Sequence, residues 1–368
     1  MKLSLLQETL QKGISTVSHG LATRTQLPIL TSILFQASNG SLTLSTTNLE
    51  ISFSLKIGAK VEKEGSLAIP GRTLSELVNS LPKDTVHIDA EKDLLKISCG
   101  NVEATMVGMD PQDFPPIPHE LENPLINIEK KQLTSIVSQV AISASTDESR
   151  PTLTGVLFLP SDNVWQVVST DGFRLSLKKL PLEKPVSGKW LVPARTLHEL
   201  LRSSQDTESE TIAVSVEEKA SQIIFSTGNC ILASRLIEGE FPDFNKIIPT
   251  SFPNQITFDR ESMYQAVRLS SIFARESANV VKLSFGGGEV QISAENAKVG
   301  KNQTTVPAQI KGEGHTMAFN FRYLLDFLSS TGSEEITLET KDPLSPGVFK
   351  PQSETDYLHL IMPVRLQS

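Results

Sequence analysis

Three arginines, Arg72, Arg195 and Arg322, each stand two residues ahead of an apolar triplet: Leu74/Leu77/Val78, Leu197/Leu200/Leu201 and Leu324/Phe327/Leu328. A cation repeated at one place in three similar stretches could attract phosphate; taken singly, each is an ordinary solvated charge. Residues suited to covalent or metal chemistry form no comparable set. The six histidines, His19, His87, His119, His198, His315 and His359, make neither HExxH nor a His/Cys cluster at metal spacing, so no metal and no other cofactor is expected. "FGGGEV" (285–290) lacks the Lys-Ser/Thr of a phosphate loop and the spacing of a dinucleotide loop, and reads as a hairpin turn. Asp171 in "STDGF" could be a catalytic acid, but no paired carboxylate accompanies it and Asp-Gly favours a turn. Cys99 and Cys230 belong to no CxxC pair, and are expected to be buried, inert thiols in a reducing compartment. No catalytic residue is therefore nominated, and an enzyme is not expected.

The elements that must carry those arginines repeat. "PTLTGVLF" (151–158) and "PILTSILF" (28–35) agree at five of eight positions and lie 123 residues apart, one third of a 368-residue chain. The octet is expected to mark one early strand of a domain present three times. "EKKQLTSIVSQVAISA" (129–144) places Leu133, Ile136, Val137, Val140, Ala141 and Ala144 on one helical face. Subtracting 123 from the first four gives Leu10, Gly13, Ile14 and Val17, and Met263, Ala266 and Val267 repeat the stripe in the last third. The second helix of each unit begins at "GRTL", "ARTL" and "FRYL", with Pro70 and Pro193 ahead of the first two. Period-2 strands lie between: "SLTLSTTNLEISFSLKI", "WQVVSTDGFRLSLKKL" and "EVQISAENAKVG". The Pro-rich segments 113–124 and 240–253 bracket the middle unit. Domains are expected at 1–121, 122–249 and 250–368, each an α+β unit of two helices packed against antiparallel sheets.

Net charge is −8, which taken alone disfavours a nucleic-acid partner. The six expected helices (4–20, 71–80, 129–144, 194–203, 259–275, 320–329) carry ten cations and seven anions. They net +3, so everything else nets −11. Basic helices and acidic sheets would give the molecule two electrostatic faces. The N-terminal "MKLSLLQETLQKG" is too polar for a signal peptide, and no apolar run approaches the ~20 residues of a membrane span. A cytoplasmic protein with no membrane partner is expected.

"LPIL", "TNLEI", "IPGRTL", "DFPPIP", "SRPTLTGVLF", "STDGFRLS", "LIEGEFPDF" and the closing "IMPVRL" together resemble the bacterial sliding clamp family, the beta subunits of DNA polymerase III. The likeness runs from Met1 to Leu366. It implies the DNA clamp fold, three clamp domains per chain, and a ring-shaped head-to-tail homodimer with its helices around duplex DNA and its sheets outside. It also implies a non-enzymatic processivity factor, whose partners are double-stranded DNA, a second copy of itself, the polymerase III catalytic subunit, the clamp loader complex, and replication and repair proteins carrying a clamp-binding peptide.

Arg24 and Arg72 match the family's basic channel residues; Lys12, Arg150, Arg195, Arg202 and Arg322 join them on the charge reading. The family's partner cleft, carried over, comprises Leu153, Thr170, Gly172, Phe173, Arg174, Leu175, Pro242, Ile247, Leu360, Met362, Pro363, Val364, Arg365 and Leu366. Such an apolar cleft with few polar groups suits a short peptide with Gln and Leu/Phe anchors. Phe173 stands where the family often has His, Asn48 replaces a common Asp, and Gln367 and Ser368 extend past the usual end. The ring seam is expected to join a strand near 101–107 to one near 290–301 of the other copy, with Ile272 and Phe273 on an apolar interface helix. Ala104 takes the place of an aromatic there, and the charges are reversed, with Glu103 facing Lys298 and Lys301. A closed but weaker seam follows. Two other classes compete: a hydrolase or transferase using Asp171, and a peptide-binding scaffold that never encloses DNA.

Overall fold

The apolar stripes at three-four spacing do form helices. In the computed structural model, which describes residues 1–365 apart from 183, 184, 206, 208 and 277, they are α1 (Gln7–Val17), α2 (Gly71–Ser80), α3 (Lys130–Ser135), α4 (Ala194–Gln205), α5 (Arg260–Ala274) and α6 (Phe321–Ser330). Each turns the predicted face inward: Leu10, Ile14 and Val17 on α1, Leu74 and Val78 on α2, Leu197 and Leu200 on α4, and Leu324, Phe327 and Leu328 on α6 are buried. Asp259 caps α5 by accepting from Ser262 N (2.7 Å), and Asn320 caps α6 by accepting from Arg322 N (3.0 Å). A Cβ at Gly13, mid-helix, would stand 2.9 Å from Leu44 Cδ1, so a side chain there would have to push Leu44 aside for α1 to keep its approach to the strand beneath it.

Three expectations need correction. The stretch 4–20 is not one helix, since Lys2–Leu6 is a strand and Ser18–Gly20 a 3₁₀ turn. The stretch 129–144 also breaks: α3 gives way to a π turn at Ile136–Val140 and a 3₁₀ turn at Ala141–Ser143. Tyr357 Oη donates to Gln139 O (3.0 Å) and Ser169 Oγ donates to Val140 O. These side-chain bonds offset the poorer ladder of the π winding. The repeated octet likewise opens on a 3₁₀ turn (Pro28–Thr31, Pro151–Leu153), and its strand starts only at Ser32 or Gly155. Proline at the head supplies no N–H for a ladder, so the turn comes first.

Among the described residues all strand pairing is antiparallel and falls into three sheets of five, eight and twelve strands. The larger two do not respect the thirds of the sequence. Ile51–Gly58 pairs with Cys230–Arg235 (Leu232 opposite Phe53), and Arg174–Pro181 pairs with Tyr357–Ile361 (Leu177 opposite Leu358). A strand left at the edge of one repeat finds its partner in the next, which removes an exposed ladder. By compactness the chain forms two units, Met1–Leu133 with Arg195–Leu236, and Thr134–Ala194 with Ile237–Ser368. The first holds the five- and eight-stranded sheets over a core including Phe35, Phe53, Leu42 and Leu44. The second holds the twelve-stranded sheet, with Phe319, Phe327 and Phe349 packed ring to ring at 5.4–5.8 Å. Among the described residues no helix is long and apolar enough to cross a membrane.

Candidate functional site

The segment 170–174 in the second unit is a polar turn with an apolar tip. Asp171 Oδ1 accepts from Phe173 N (2.8 Å) and Arg174 N (3.0 Å), while Thr170 Oγ1 donates to Arg174 O (2.7 Å) and accepts from Gly172 N (3.0 Å). Gly172 adopts φ 93°, a conformation Gly reaches without strain. Asp171 therefore behaves as the turn residue its sequence suggested, and it does one thing more. Its Oδ2 accepts from Arg174 Nε at 3.0 Å. Arg174 Nη1 reaches Asp326 Oδ2 on α6 at 2.6 Å, and the guanidinium lies 4.5 Å over the Tyr323 ring. Burial first, then the Asp171 carboxylate, raises the Tyr323 hydroxyl above its usual range. Asp326 and Tyr323 were not nominated from sequence. The available signal was Asp326 standing one helical turn after Arg322 on the exposed side of α6.

The last strand docks on this turn. Tyr357–Ile361 runs against Arg174–Pro181, and Met362 N then donates to Phe173 O at 2.8 Å. Val364 N donates to Ala318 O at 2.7 Å. Phe173 (59%), Ile247, Met362 and Val364 (each 37%) expose large apolar side chains. Pro242, Gly172 and Arg365 are also exposed, and Pro363 is half-buried. Other nominated members do not reach the surface. Leu153, Thr170, Leu175 and Leu360 are buried. Leu175 and Leu360 belong to a cluster with Leu157, Leu177, Phe241 and Phe244, so they form the floor that holds segment 237–248 in place. Leu366, Gln367 and Ser368 lie outside the described residues.

Behind the last strand lies an unexpected polar interior. His359 is fully buried, its Nδ1 is 2.8 Å from Ser176 Oγ, and Ser176 Oγ is 2.9 Å from Ser143 Oγ. Burial, aided by the Arg174 charge, pushes the His359 imidazole down to about 3. Both thiols are free and buried. Burial raises Cys99 and drives Cys230 up to about 12. The "FGGGEV" stretch is a two-residue hairpin, with Gly287 and Gly288 at positive φ between the paired Gly286 and Glu289.

The seven nominated phosphate-attracting cations, Lys12, Arg24, Arg72, Arg150, Arg195, Arg202 and Arg322, are all exposed. Among the described residues Lys12, Arg24, Arg195 and Arg322 form no ion pair. Arg72 meets Glu76 at 3.1 Å with both side chains in open solvent. Arg202 Nη1 lies 3.2 Å from His19 Nδ1 and 3.9 Å from Glu199 Oε2. Burial outweighs Glu199 and lowers the His19 pKa. Arg150 stands apart from the helix faces: it pairs with Asp147 (3.3 Å), and its Nη1 is 3.5 Å from where a Gly172 Cβ would be. It is a neighbour of the 170–174 turn.

The two expected seam strands differ in kind. Val102–Val107 ends the five-stranded sheet, with Glu103 and Val107 exposed and Ala104 half-buried. The stretch near 290–301 is two strands, and the first, Glu289–Asn296, is flanked on both sides and has no free ladder. The open edge is 300–307 of Gly300–Lys311, because Asn254–Asp259 covers only 308–311. Lys301 lies on that edge and Lys298 in the turn before it, both exposed. Beside them Leu269, Ile272 and Val299 expose apolar side chains, while Phe273 is half-buried, 4.0 Å from the place of a Gly300 Cβ. Ser270 Oγ donates to Asn302 Oδ1 at 2.8 Å, fixing α5 to the edge strand.

Comparison with known proteins covers the whole chain. Residues 1–118, 127–243 and 245–365 match the family models of the DNA polymerase III beta subunit N-terminal, central and C-terminal domains. The beta sliding clamp of Staphylococcus aureus is 29% identical over 377 residues, covering 99% of each chain. Among solved structures, the DNA polymerase sliding clamp of Bacillus subtilis is 29% identical with a TM-score of 0.95 over 100% of both chains. The DNA polymerase III beta chain of Streptococcus pneumoniae is 30% identical with a TM-score of 0.94, covering 99% of this chain and 100% of its own.

Proposed function

This chain belongs to the DNA polymerase III beta-subunit family of bacterial sliding clamps, and from that premise we propose that it works as a head-to-tail homodimeric ring around duplex DNA. It has the clamp fold, and its role is that of the polymerase's processivity factor. Its domains divide at 1–121, 122–249 and 250–368. Lys12, Arg24, Arg72, Arg195, Arg202 and Arg322 face phosphate. Arg150 serves the partner cleft instead, because it borders the 170–174 turn. The cleft, with Phe173, Ile247, Met362 and Val364 as its open apolar side chains, takes peptides from the polymerase catalytic subunit, the clamp loader and repair proteins. The ring closes through the edges 102–107 and 300–307, with Ile272 against the partner copy. The protein works in the cytoplasm, performs no chemistry and needs no cofactor.

The observation that supports this most is the placement of unpaired cations. Lys12, Arg195 and Arg322 lie on the exposed side of helices whose other side is buried, and Arg24 in the bend between Gly20 and Pro28, in a chain of net charge −8. An acidic protein that gathers cations on one class of element has a surface for phosphate. Few such contacts suffice when a closed ring cannot dissociate, and weak contacts permit sliding. The test loads the protein on nicked circular DNA and then cuts the circle. A ring stays on the circle and runs off the cut ends. A scaffold that binds peptides without enclosing DNA is indifferent to the cut, and that result would replace the ring reading.

A further inference from the structure

The turn at 170–174 recurs at the equivalent place in each of the three repeats; the similar turn at Asp342, which accepts from Leu344 N and Ser345 N, lies outside that series. Asn48 Oδ1 accepts from Glu50 N (3.0 Å) and Ile51 N (2.8 Å), Asp171 Oδ1 from Phe173 N (2.8 Å) and Arg174 N (3.0 Å), and Asn296 Oδ1 from Lys298 N (2.8 Å) and Val299 N (3.2 Å). The first copy also repeats the Thr bond, Leu49 N to Thr47 Oγ1 at 3.0 Å. Arg235 N donates to Glu50 O (2.9 Å) as Met362 N does to Phe173 O (2.8 Å). The backbone frame is thus a property of the repeat and cannot by itself make one copy a binding site.

The middle copy differs in its side chains. The last turn residue is Ile51, Arg174 or Val299, and only Asp171 has a second carboxylate oxygen to offer. It gives that oxygen to Arg174 Nε. One bond at Nε leaves the guanidinium plane free to swing. Asp326 on Nη1 at 2.6 Å and the Tyr323 ring beneath at 4.5 Å remove that freedom. Among the described residues no protein acceptor takes Nη2, and Arg174 keeps 11% side-chain exposure. Its charge is balanced by two carboxylates, so it needs no further anion and can offer Nη2 to a neutral oxygen.

We propose that Asp326 is a positioning residue for partner recognition: through Arg174 it holds the Nη2 edge ready for an oxygen acceptor, a carbonyl or carboxamide, of the bound peptide. The inference rests on the reading of this turn as the peptide cleft. Specificity in the cleft then comes from an α6 side chain 152 residues away in sequence, while the exposed apolar side chains supply most of the contact area.

The test measures binding of a labelled peptide carrying Gln and Leu/Phe anchors by anisotropy, with the intact protein. Asp326→Asn should weaken binding about tenfold, the scale of one misplaced charge-assisted hydrogen bond. Asp326→Glu should recover most of the loss. In an Arg174→Ala background Asp326→Asn should cost less than about twofold, because its effect runs through the arginine. Asp326 is 46% exposed, so the melting temperature should hold in every Asp326 variant. Wild-type affinity in Asp326→Asn, or the same tenfold loss with Arg174 already gone, overturns the positioning role. Absence of peptide binding to the wild-type protein overturns the cleft reading itself, and the inference with it.

Discussion

Replacing Arg72, Arg195 and Arg322 together with alanine should weaken contact with DNA while leaving the ring on its circle. The three arginines are exposed, and among the described residues the one ion pair they make, Arg72 with Glu76 at 3.1 Å, has both partners in open solvent. An exposed i,i+4 pair is worth about 0.3–0.5 kcal/mol, too little to hold Arg72 away from a phosphate. If each arginine displaces one counterion, losing three lowers the slope of log affinity against log salt by about 2.7. Between about 50 and 200 mM salt the variant should therefore lose roughly 40-fold less affinity for linear duplex than the wild type loses. Anisotropy with a linear duplex, repeated across that range, reads the slope. Retention on a sealed circle, followed by gel filtration of loaded complexes, should change by less than about twofold, since topology and not affinity holds the clamp there. An unchanged slope would show that these arginines do not face DNA. A slope that falls together with retention on the circle would show that attraction, not enclosure, keeps the protein on DNA.

Three further outcomes follow from the geometry. Ile272→Asp, placed beside the open edge 300–307, should convert dimer to monomer at micromolar concentration in sedimentation velocity; wild-type protein should begin to dissociate at nanomolar concentration, and dimer alone there would contradict the weakened seam. His359 is held near 3 when folded and returns toward its ordinary 6.5 when unfolded, so the unfolded chain binds the extra proton. Its neutral form costs nothing above about pH 6.5, and stability should fall below it by up to ~1.4 kcal/mol per pH unit until the folded value is reached; urea melts of His359→Asn should lose about one proton of that slope. Cys230, at about 12, should resist a thiol reagent at pH 8 in the folded protein, while both cysteines react after unfolding; rapid native labelling of Cys230 would refute its burial.

Much of this protein is legible one element at a time. The 123-residue period, the stripes of α1, α2, α4, α5 and α6, the Asx turns and the Gly287–Gly288 hairpin are local: residues within a few positions settle them, and the structure repeats them. Misreadings arose where a distant group intervenes. The stripe from 129 to 144 is continuous in sequence, yet Tyr357 and Ser169 bind its carbonyls and a π turn replaces the helix. The charge of Arg150 carries no trace of its place beside Gly172, which depends on how segment 147–153 packs. The burial of Leu175 and Leu360 in the cluster beneath segment 237–248 is likewise set by tertiary packing.

Periodicity and turn chemistry act over neighbouring residues, so the repeat, its helices, its turns and the excess of cations on those helices follow from the order of amino acids. Tertiary structure alone decided which strands close the sheets, which edges stay open, and which of three equal turns acquires an arginine held by two carboxylates. Strand pairing has the same period at every register, and an ion pair across 152 residues leaves no local trace, so only the folded chain selects among the possible partners.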